Sequence, residues 1–377
     1  MAVSFIHTAD WQIGKVFSAI GGDAAVLLKA QRVKTVQCIA QLATERRVDA
    51  VLVAGDIFES NLVSNETIHG LLHAMEGFTG PWVLIPGNHD PSVAESVWQR
   101  LDVLGCPKNI HIALEPNPII LADGRLAVLP AVLRRRHEIE DLTAAWDAAA
   151  TPDGVVRVGL AHGSVEGQLP GASEATNPIA ADRETRARLE YLALGDWHGT
   201  HKVSKRTWYS GTPEPDRFKD NDPGNVLVVT VSGPGAEAVI ERVRSAHYVW
   251  TDVEAALTDV NDLNGLEARF TSLVEPLGQH VLMLTISGTV DFSTRERADR
   301  ILTKWRGRLT WLGADCSSLL AQPTEADLDH IDIAGFVRTA IERLRAVHAD
   351  PSDPNREVAS EALRLLYQIH TAEVEHK

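Results

Sequence analysis

From Val3 to about Val231 one local unit recurs: a short apolar run rich in β-branched residues, a cluster of Gly, Asp, His or Asn, then a helical stretch. Strands that hand over to helices through polar loops build α/β layers, because each apolar run needs a sheet and each helix a surface on which to bury its stripe. The runs predict strands at 3–8, 50–54, 82–86, 126–132, 155–161, 191–194 and 226–231. The last, VLVVTV, predicts a fully buried strand that closes the domain. Val33, Val36, Ala40 and Ala43 recur at helical spacing and predict a helix over 24–47 with one side on a sheet. Alternation alone permits a doubly wound sheet.

The unit stops at Ser232, Gly233, Pro234 and Gly235, a turn-rich break that predicts a domain boundary. Residues 1–232, 233–322 and 323–377 read as three pieces. The second piece predicts a strand over 280–287, a helix over 293–309 and a short strand near 310–312. In that helix Ala298, Ile301, Leu302, Trp305 and Leu309 form a stripe, while Arg295, Arg300, Lys304 and Arg308 lie mostly off it. A solvated charged face explains those cations more simply than a DNA-backbone contact does. The third piece holds two helical patterns parted by Pro351 and Pro354. Phe336, Ala340, Ile341 and Leu344 line one helix, and Ala362, Leu365, Leu366 and Ile369 the other. Such a pair packs back on its own domain or docks a partner.

At 377 residues the chain accommodates two domains and a small third element. A hydrophobic share of 44% with 23% charged residues is that of a globular protein, so whole-chain disorder is excluded. No run is long and apolar enough for a membrane span, and the opening residues read into a strand rather than a signal peptide, so a cytoplasmic location is expected. Cys38, Cys106 and Cys316 are odd in number and far apart, which predicts buried free thiols in a reducing compartment. A net charge of −15 argues against coating duplex nucleic acid, whose affinity comes from neutralised phosphates. Metal ions, a local basic patch or a partner must supply the positive charge if nucleic acid is the substrate.

Five polar clusters follow strand candidates: Asp10-Trp11-Gln12, Gly55-Asp56-Ile57-Phe58, Gly87-Asn88-His89-Asp90, Ala161-His162-Gly163 and Gly195-Asp196-Trp197-His198. Strand exits are where an α/β sheet presents its crevice. Together the clusters offer enough carboxylate, imidazole and amide donors for two divalent ions, which displacement at phosphorus can use, and Asp56 is the candidate for the carboxylate shared between them. One Gly-Asp or Ala-His-Gly after a strand is common by chance; the ordered set of five is not.

The series DWQ, GDIF, GNHD, AHG and GDWHG resembles the signature of the calcineurin-like metallophosphoesterases, D-x-H, G-D, G-N-H-[DE], H and G-H-x-H. Within them, HTADWQIGK, AGDIFES and Trp208-Tyr209-Ser210-Gly211-Thr212-Pro213 are similar to the SbcD-type DNA double-strand-break repair nuclease subunits, over about the first 230 residues. The resemblance implies a four-layer α/β/β/α sandwich, a smaller C-terminal α/β capping domain and terminal helices that dock an ATPase. It implies one metal on Asp10, Gln12, Asp56 and His198, a second on Asp56, Asn88, His162 and Asp196, and His89 as the catalytic histidine that helps the leaving oxygen. Asp90 reads as an orienting residue.

Two positions depart from the family pattern: Gln12 stands where its first histidine usually is, and Asp196 where the G-H-x-H motif begins. Both move the donor set from nitrogen toward oxygen, which suits manganese, then magnesium, better than zinc or iron. Substrate contacts are assigned to Arg134, Arg135 and Arg136, the densest basic run, and to His201 and Arg217, with solvated or structural roles as the plainer reading. His7 reads as a support for a ligand or a core histidine. The implied activity is two-metal phosphodiester hydrolysis of DNA, as exonuclease and endonuclease, beside an SbcC-like coiled-coil ATPase, with a homodimer as the family's usual form. A phosphatase or phosphodiesterase acting on a small molecule or phosphoprotein is the first alternative, and a non-catalytic subunit that docks the ATPase the second.

Overall fold

The computed structural model describes residues 2–168, 177–322, 324, 328 and 336–375. The chain divides into two compact units, Met1–Val249 and Trp250–Lys377. The first runs through β1 (Val3–Thr8), α1 (Gly22–Arg46), β2 (Ala50–Val53), α2 (Asn65–Met75), β3 (Trp82–Leu84), α3 (Val97–Val103) and β4 (Ile110–Ile112). It continues through β5 (Ile119–Leu121), β6 (Leu126–Pro130), β7 (Val156–His162), β8 (Ser164–Val165), β9 (Pro178–Ile179), α4 (Arg183–Arg186) and β10 (Tyr191–Gly195). The unit finishes with β11 (His201–Lys202), β12 (Thr207–Tyr209), β13 (Asn225–Val231) and β14 (Val239–Arg244).

Two six-stranded sheets result, ordered β14-β13-β1-β2-β3-β4 and β11-β12-β10-β7-β6-β5. Strands β1 to β4 are mutually parallel, as are β6, β7, β10 and β12. The polar loops of each sheet therefore leave by one edge.

Period-two alternation explains the layers. Val3 and Phe5 on β1, Ala50 and Leu52 on β2, and Val83 on β3 share a buried core with Val128, Val158, Leu160 and Ala193 of the second sheet. The intervening Ile6, Val51 and Val53 turn the other way, onto Val36, Ile39, Ala40 and Ala43 of α1 and Ile68, Leu71 and Met75 of α2. Leu129, Leu192 and Leu194 on the far face of the second sheet are covered by Trp146, Ala187 and Leu189. This is a sandwich of two sheets with helical layers outside. The inward stripe of α1 also carries Arg32, which is buried between Leu28 and Val36. Cys38 is exposed, because Val36, Ile39 and Ala40 take the inward positions, and Cys106 and Cys316 are only partly covered; all are free thiols. The expectation of buried cysteines is corrected accordingly.

His7, inward on β1, is fully buried between the sheets. Its Nδ1 accepts from the Tyr191 hydroxyl at 3.0 Å and its Nε2–H donates to the Leu194 carbonyl at 3.1 Å. Of its two sequence readings, the packing is that of a satisfied core histidine. Burial pushes its pKa down to about 3, against the upward pull of the Leu194 bond. Below about pH 6.5 the unfolded chain takes up a proton that the folded chain refuses, so this group's share of stability falls as pH drops from there toward 3. The loss should reach about 2 kcal/mol between pH 6.5 and 5. His7→Gln should therefore show a smaller shift in urea midpoint across that interval than the wild type; an equal shift would refute the assignment.

The second unit holds β15 (Val249–Leu257), α5 (Val260–Thr271), β16 (His280–Asp291), α6 (Phe292–Arg306) and β17 (Trp311–Gln322), with sheet order β15-β16-β17. Leu263, Leu266 and Phe270 of α5 and Ala298, Ile301, Leu302 and Trp305 of α6 meet Leu282, Leu284 and Ile286 of β16. The charged face of α6 is engaged within its own unit: Lys304 reaches Glu267 at 2.9 Å, Arg300 pairs with Glu296, and Arg295 donates to the Leu319 carbonyl at 3.0 Å. Strand β17 is much longer than the short strand expected near 310–312, because as an edge strand it leaves most of its small and polar side chains half in solvent and lacks an apolar signal.

The last helices span Phe336–Ala349 and Arg356–Glu375. Their contact is made by Ile341, Val337 and Leu344 with Leu363 and Leu366. Phe336, Leu365 and Ile369, expected on the apolar faces, are exposed. Residues 323, 325–327, 329–335, 376 and 377 of the third sequence piece lie outside the described ones. Among the described residues no helix is long and apolar enough to cross a membrane.

Candidate metal centre

The polar clusters follow β1, β2 and β3 of one sheet and β7 and β10 of the other. Past the strand ends, the first two loops keep running side by side. The amides of Ala54, Asp10, Gln12 and Ile13 donate to the carbonyls of Thr8, Gly55, Asp56 and Ile57 at 2.8–3.1 Å. Asp10 and Asp56 turn there with φ of 54° and 52°, a left-handed conformation that aspartate tolerates better than most residues. Gln12 at 43° and Asp196 at 98° do the same, and strained backbone of this kind persists where the surroundings over-determine it. Gly87 has no alternative: a Cβ would collide with the Asp56 carboxylate and amide. Asp90 ties the third loop to the second, accepting from the Gly87 amide at 2.6 Å and the Phe58 amide at 2.9 Å, and its carbonyl accepts from Trp98 Nε1 at 2.6 Å.

The loops bring together Asp10, Asp56, Asn88, His162 and Asp196. Ligand atoms of Asp10, Asp56 and His162 lie within 4.8 Å of one another, the only such trio of His, Cys, Asp and Glu among the described residues. His162 Nδ1–H donates to the Ala54 carbonyl at 2.9 Å, and its Nε2 points at Asp56 Oδ1 at 3.5 Å and Asp196 Oδ1 at 3.6 Å. Asn88 Nδ2 donates to Asp196 Oδ1 at 2.9 Å, which turns its amide oxygen the other way. Asp10 Oδ1 accepts from the Asp196 amide at 3.1 Å, and Asp56 Oδ1 from the His89 amide at 2.9 Å.

Three polar atoms able to ligate a metal are then buried without a hydrogen-bond partner: Asp10 Oδ2, Asn88 Oδ1 and His162 Nε2. Leaving such atoms unpaired costs about 1–3 kcal/mol each, so an arrangement of this kind fits a cation that they would share. The electrostatics agree. Burial pushes Asp10 up to about 6, with His198 and His162 opposing. Burial would lower the His162 pKa, yet Asp56, Asp196 and Asp10 outweigh it and push it up to about 9. The site carries an excess of buried negative charge, which a divalent ion would offset.

On the other side Gln12 and His198 already face protein partners. Lys15 Nζ donates to Gln12 Oε1 at 2.9 Å and pairs with Asp216 Oδ2 at 2.9 Å. Gln12 Nε2 faces His198 Nε2 at 3.3 Å, and His198 Nδ1 faces Asp216 Oδ1 at 3.1 Å. The Arg217 guanidinium forks onto Asp216 and lies 2.9 and 3.3 Å from the two ring nitrogens of His198. His89 Nδ1–H donates to the Glu59 carbonyl at 3.1 Å, so its Nε2 is the free end of a half-buried ring.

The remaining sequence candidates lie elsewhere. His201 on β11 sets its ring 6.4 Å from Trp197 and 6.5 Å from Tyr209. Arg134, Arg135 and Arg136 are exposed, the first paired with Glu115 at 2.9 Å and the second with Glu138 at 3.2 Å. They follow Leu133, whose carbonyl accepts from Ser92, two residues past the third cluster.

Lys15, Asp216, Arg32 and Glu214 were not legible as site residues. Arg32 donates to the carbonyls of Trp11, Asp10 and Glu214 and to Thr212 Oγ1 at 2.6–3.0 Å, clamping the first loop from beneath. Glu214 in turn accepts from Thr35, His247 and Tyr248 at 2.8–2.9 Å. The one available signal was an arginine in the apolar stripe of a helix.

The sequence profile described as calcineurin-like phosphoesterase matches residues 3–229. The chain is 22% identical over 323 residues, 80% of its length and 49% of the other, to the DNA double-strand break repair protein Mre11 of Methanosarcina acetivorans. It is 25% identical over 285 residues, 71% of its length and 66% of the other, to the uncharacterized metallophosphoesterase YhaO of Bacillus subtilis. To the SbcD component of nuclease SbcCD from the same bacterium it is 24% identical over 274 residues, 63% of its length and 68% of the other. The chain thus spans about half of the archaeal relative and two thirds of the bacterial ones.

Proposed function

The chain belongs to the calcineurin-like phosphoesterase family, and on that premise we propose that it is a metal-dependent phosphodiesterase acting on DNA, the SbcD-like partner of an SbcC-like coiled-coil ATPase. The observation that carries the hydrolase reading is the meeting of ligand atoms of Asp10, Asp56 and His162 within 4.8 Å, with Asp10 Oδ2 and His162 Nε2 buried without a hydrogen-bond partner. The relatives named Mre11 and SbcCD nuclease support DNA as substrate and an ATPase as partner.

Asp56, Asn88, His162 and Asp196 would hold one divalent ion, and Asp10, Gln12, Asp56 and His198 a second. Bound there, such ions polarise the phosphoryl oxygens and make a water molecule acidic enough to attack at neutral pH. The oxygen-rich donor set suits manganese. The protein's own part is positional. Asp90 and Gly87 hold the third loop against the Asp56 carboxylate, so that the His89 ring stands with Nδ1 fixed on the Glu59 carbonyl. That carbonyl accepts a hydrogen bond from Nδ1–H whether the ring is neutral or protonated, which leaves Nε2 free to pass a proton to the departing sugar oxygen. Lys15 and Arg217 supply fixed positive charge in a chain of net charge −15. Arg134 is held only in an exposed pair, typically worth about 0–1 kcal/mol, and can exchange its carboxylate for a phosphate, while Arg135 reaches the buried Glu138 from an exposed position.

The chain purified with manganese should hydrolyse bis(p-nitrophenyl) phosphate and degrade linear duplex DNA, and chelation should abolish both. Cleavage of the ester without DNA, alone or with the ATPase, would replace DNA with a small substrate. Neither cleavage, with metal bound, would leave the chain a docking role only.

A further inference from the structure

We propose that Lys15 makes the metal centre asymmetric: by closing a ring with Gln12, His198 and Asp216 it leaves one divalent ion firmly held on the Asn88–His162 side and the position on the Gln12–His198 side only weakly occupied. The inference rests on the metal-centre reading and concerns how this chain departs from a symmetric pair.

The ring closes through four contacts. The Lys15 ammonium donates to Gln12 Oε1 and to Asp216 Oδ2, both at 2.9 Å. With its oxygen committed there, the Gln12 amide presents Nε2–H to the lone pair of His198 Nε2 at 3.3 Å. His198 Nδ1 in turn lies 3.1 Å from Asp216 Oδ1 and 2.9 Å from Arg217 Nη2, which returns the circuit to the carboxylate that Lys15 holds. Arg217 Nη2 adds a further donor against the same imidazole, so both ring nitrogens of His198 and the Gln12 oxygen all face protein partners.

A glutamine can ligate a metal only through its amide oxygen, and an imidazole only through a bare nitrogen. Here the oxygen faces Lys15, and the ring nitrogens of His198 face Gln12 and Asp216. An ion entering this side must displace Lys15 from Gln12 and turn the amide over. It must also approach two fixed cations, since the Arg217 guanidinium lies 2.9 Å from His198 Nδ1. Across the centre Asn88 Oδ1 and His162 Nε2 are buried without a hydrogen-bond partner, and among the described residues no lysine or arginine is bonded to either side chain. Lys15 keeps 18% of its side-chain surface, whereas Asp216 keeps 1%, so the ring opens most readily at the lysine.

The test is metal stoichiometry in the full chain, stripped with chelator, reloaded with manganese, gel-filtered and analysed by plasma mass spectrometry, with calorimetric titration of any further site. The wild type should retain one equivalent, and Asn88→Ala should lose it. Lys15→Met, which keeps the length and drops the charge, should retain two equivalents or bind the second at least tenfold more tightly, with Lys15→Gln as the alternative if that variant does not fold. Two equivalents firmly retained by the wild type would overturn the inference and leave the metal-centre reading standing. So would a second affinity unchanged in both lysine variants. No equivalent in any chain would remove the metal centre itself, and the inference with it.

Discussion

Asp56→Asn is expected to abolish phosphodiester hydrolysis, by a factor of about a thousand or more in kcat/KM, roughly 4 kcal/mol of transition-state stabilisation, without costing the metal-free protein any stability. The substitution is mild for the backbone, because asparagine also tolerates the left-handed φ of 52° at this position. Its amide oxygen can still accept from the His89 amide, as Asp56 Oδ1 does at 2.9 Å. What disappears is one of several buried carboxylates that repel one another. Burial and then Asp56 raise the Asp90 carboxyl to about 7, and Asp56 adds to the raised pKa of Asp10. Relief of that repulsion offsets the lost attraction between Asp56 and His162, so the melting temperature of the metal-free variant should stay close to that of the wild type. The rise in melting temperature that manganese confers on the wild type should vanish. Scanning fluorimetry with and without manganese, beside the ester assay, separates the two effects. A variant that keeps its manganese-induced rise would show that Asp56 is not the shared ligand.

His89→Ala should behave differently: kcat falls by about 10²–10⁴ while bound metal is unchanged. The reason is local. The contact of His89 with the centre is its backbone amide on Asp56, which alanine keeps, whereas the ring is held apart on the Glu59 carbonyl. If the ring delivers a proton to the leaving oxygen, the defect depends on how much that oxygen needs one. It should be large for DNA or an alkyl ester and several-fold smaller for a p-nitrophenyl ester, whose leaving group departs as an anion. Equal losses on both substrates would move His89 from proton transfer to phosphate binding.

The separation between ligands and supports explains what could be read in advance. Asp10, Asp56, Asn88, His162 and Asp196 each sit at or just beyond the end of a strand, and an apolar run that stops at a Gly/Asp/His cluster is a local pattern. Parallel strands then bring several such ends to one edge, so a rule about short segments reaches a three-dimensional site. Arg134 to Arg136 illustrate the limit: a dense basic run is conspicuous in sequence, yet its first two members spend their charge on Glu115 and Glu138.

The amino-acid order by itself determined the α/β layering, the strands that carry the polar clusters and the residue types that meet there, because these depend on periodicities of two and 3.6 residues and on strand ends. Only the tertiary structure decided that Arg32 clamps the loop of Asp10, that His7 is buried neutral between Tyr191 and Leu194, and that Lys15 closes a ring with Gln12, His198 and Asp216. Several of these contacts join residues 180 or more positions apart, as His7 joins Tyr191 across 184 and Gln12 joins His198 across 186. Which atom of an amide or imidazole is left bare depends on partners at that range, and no local pattern encodes them.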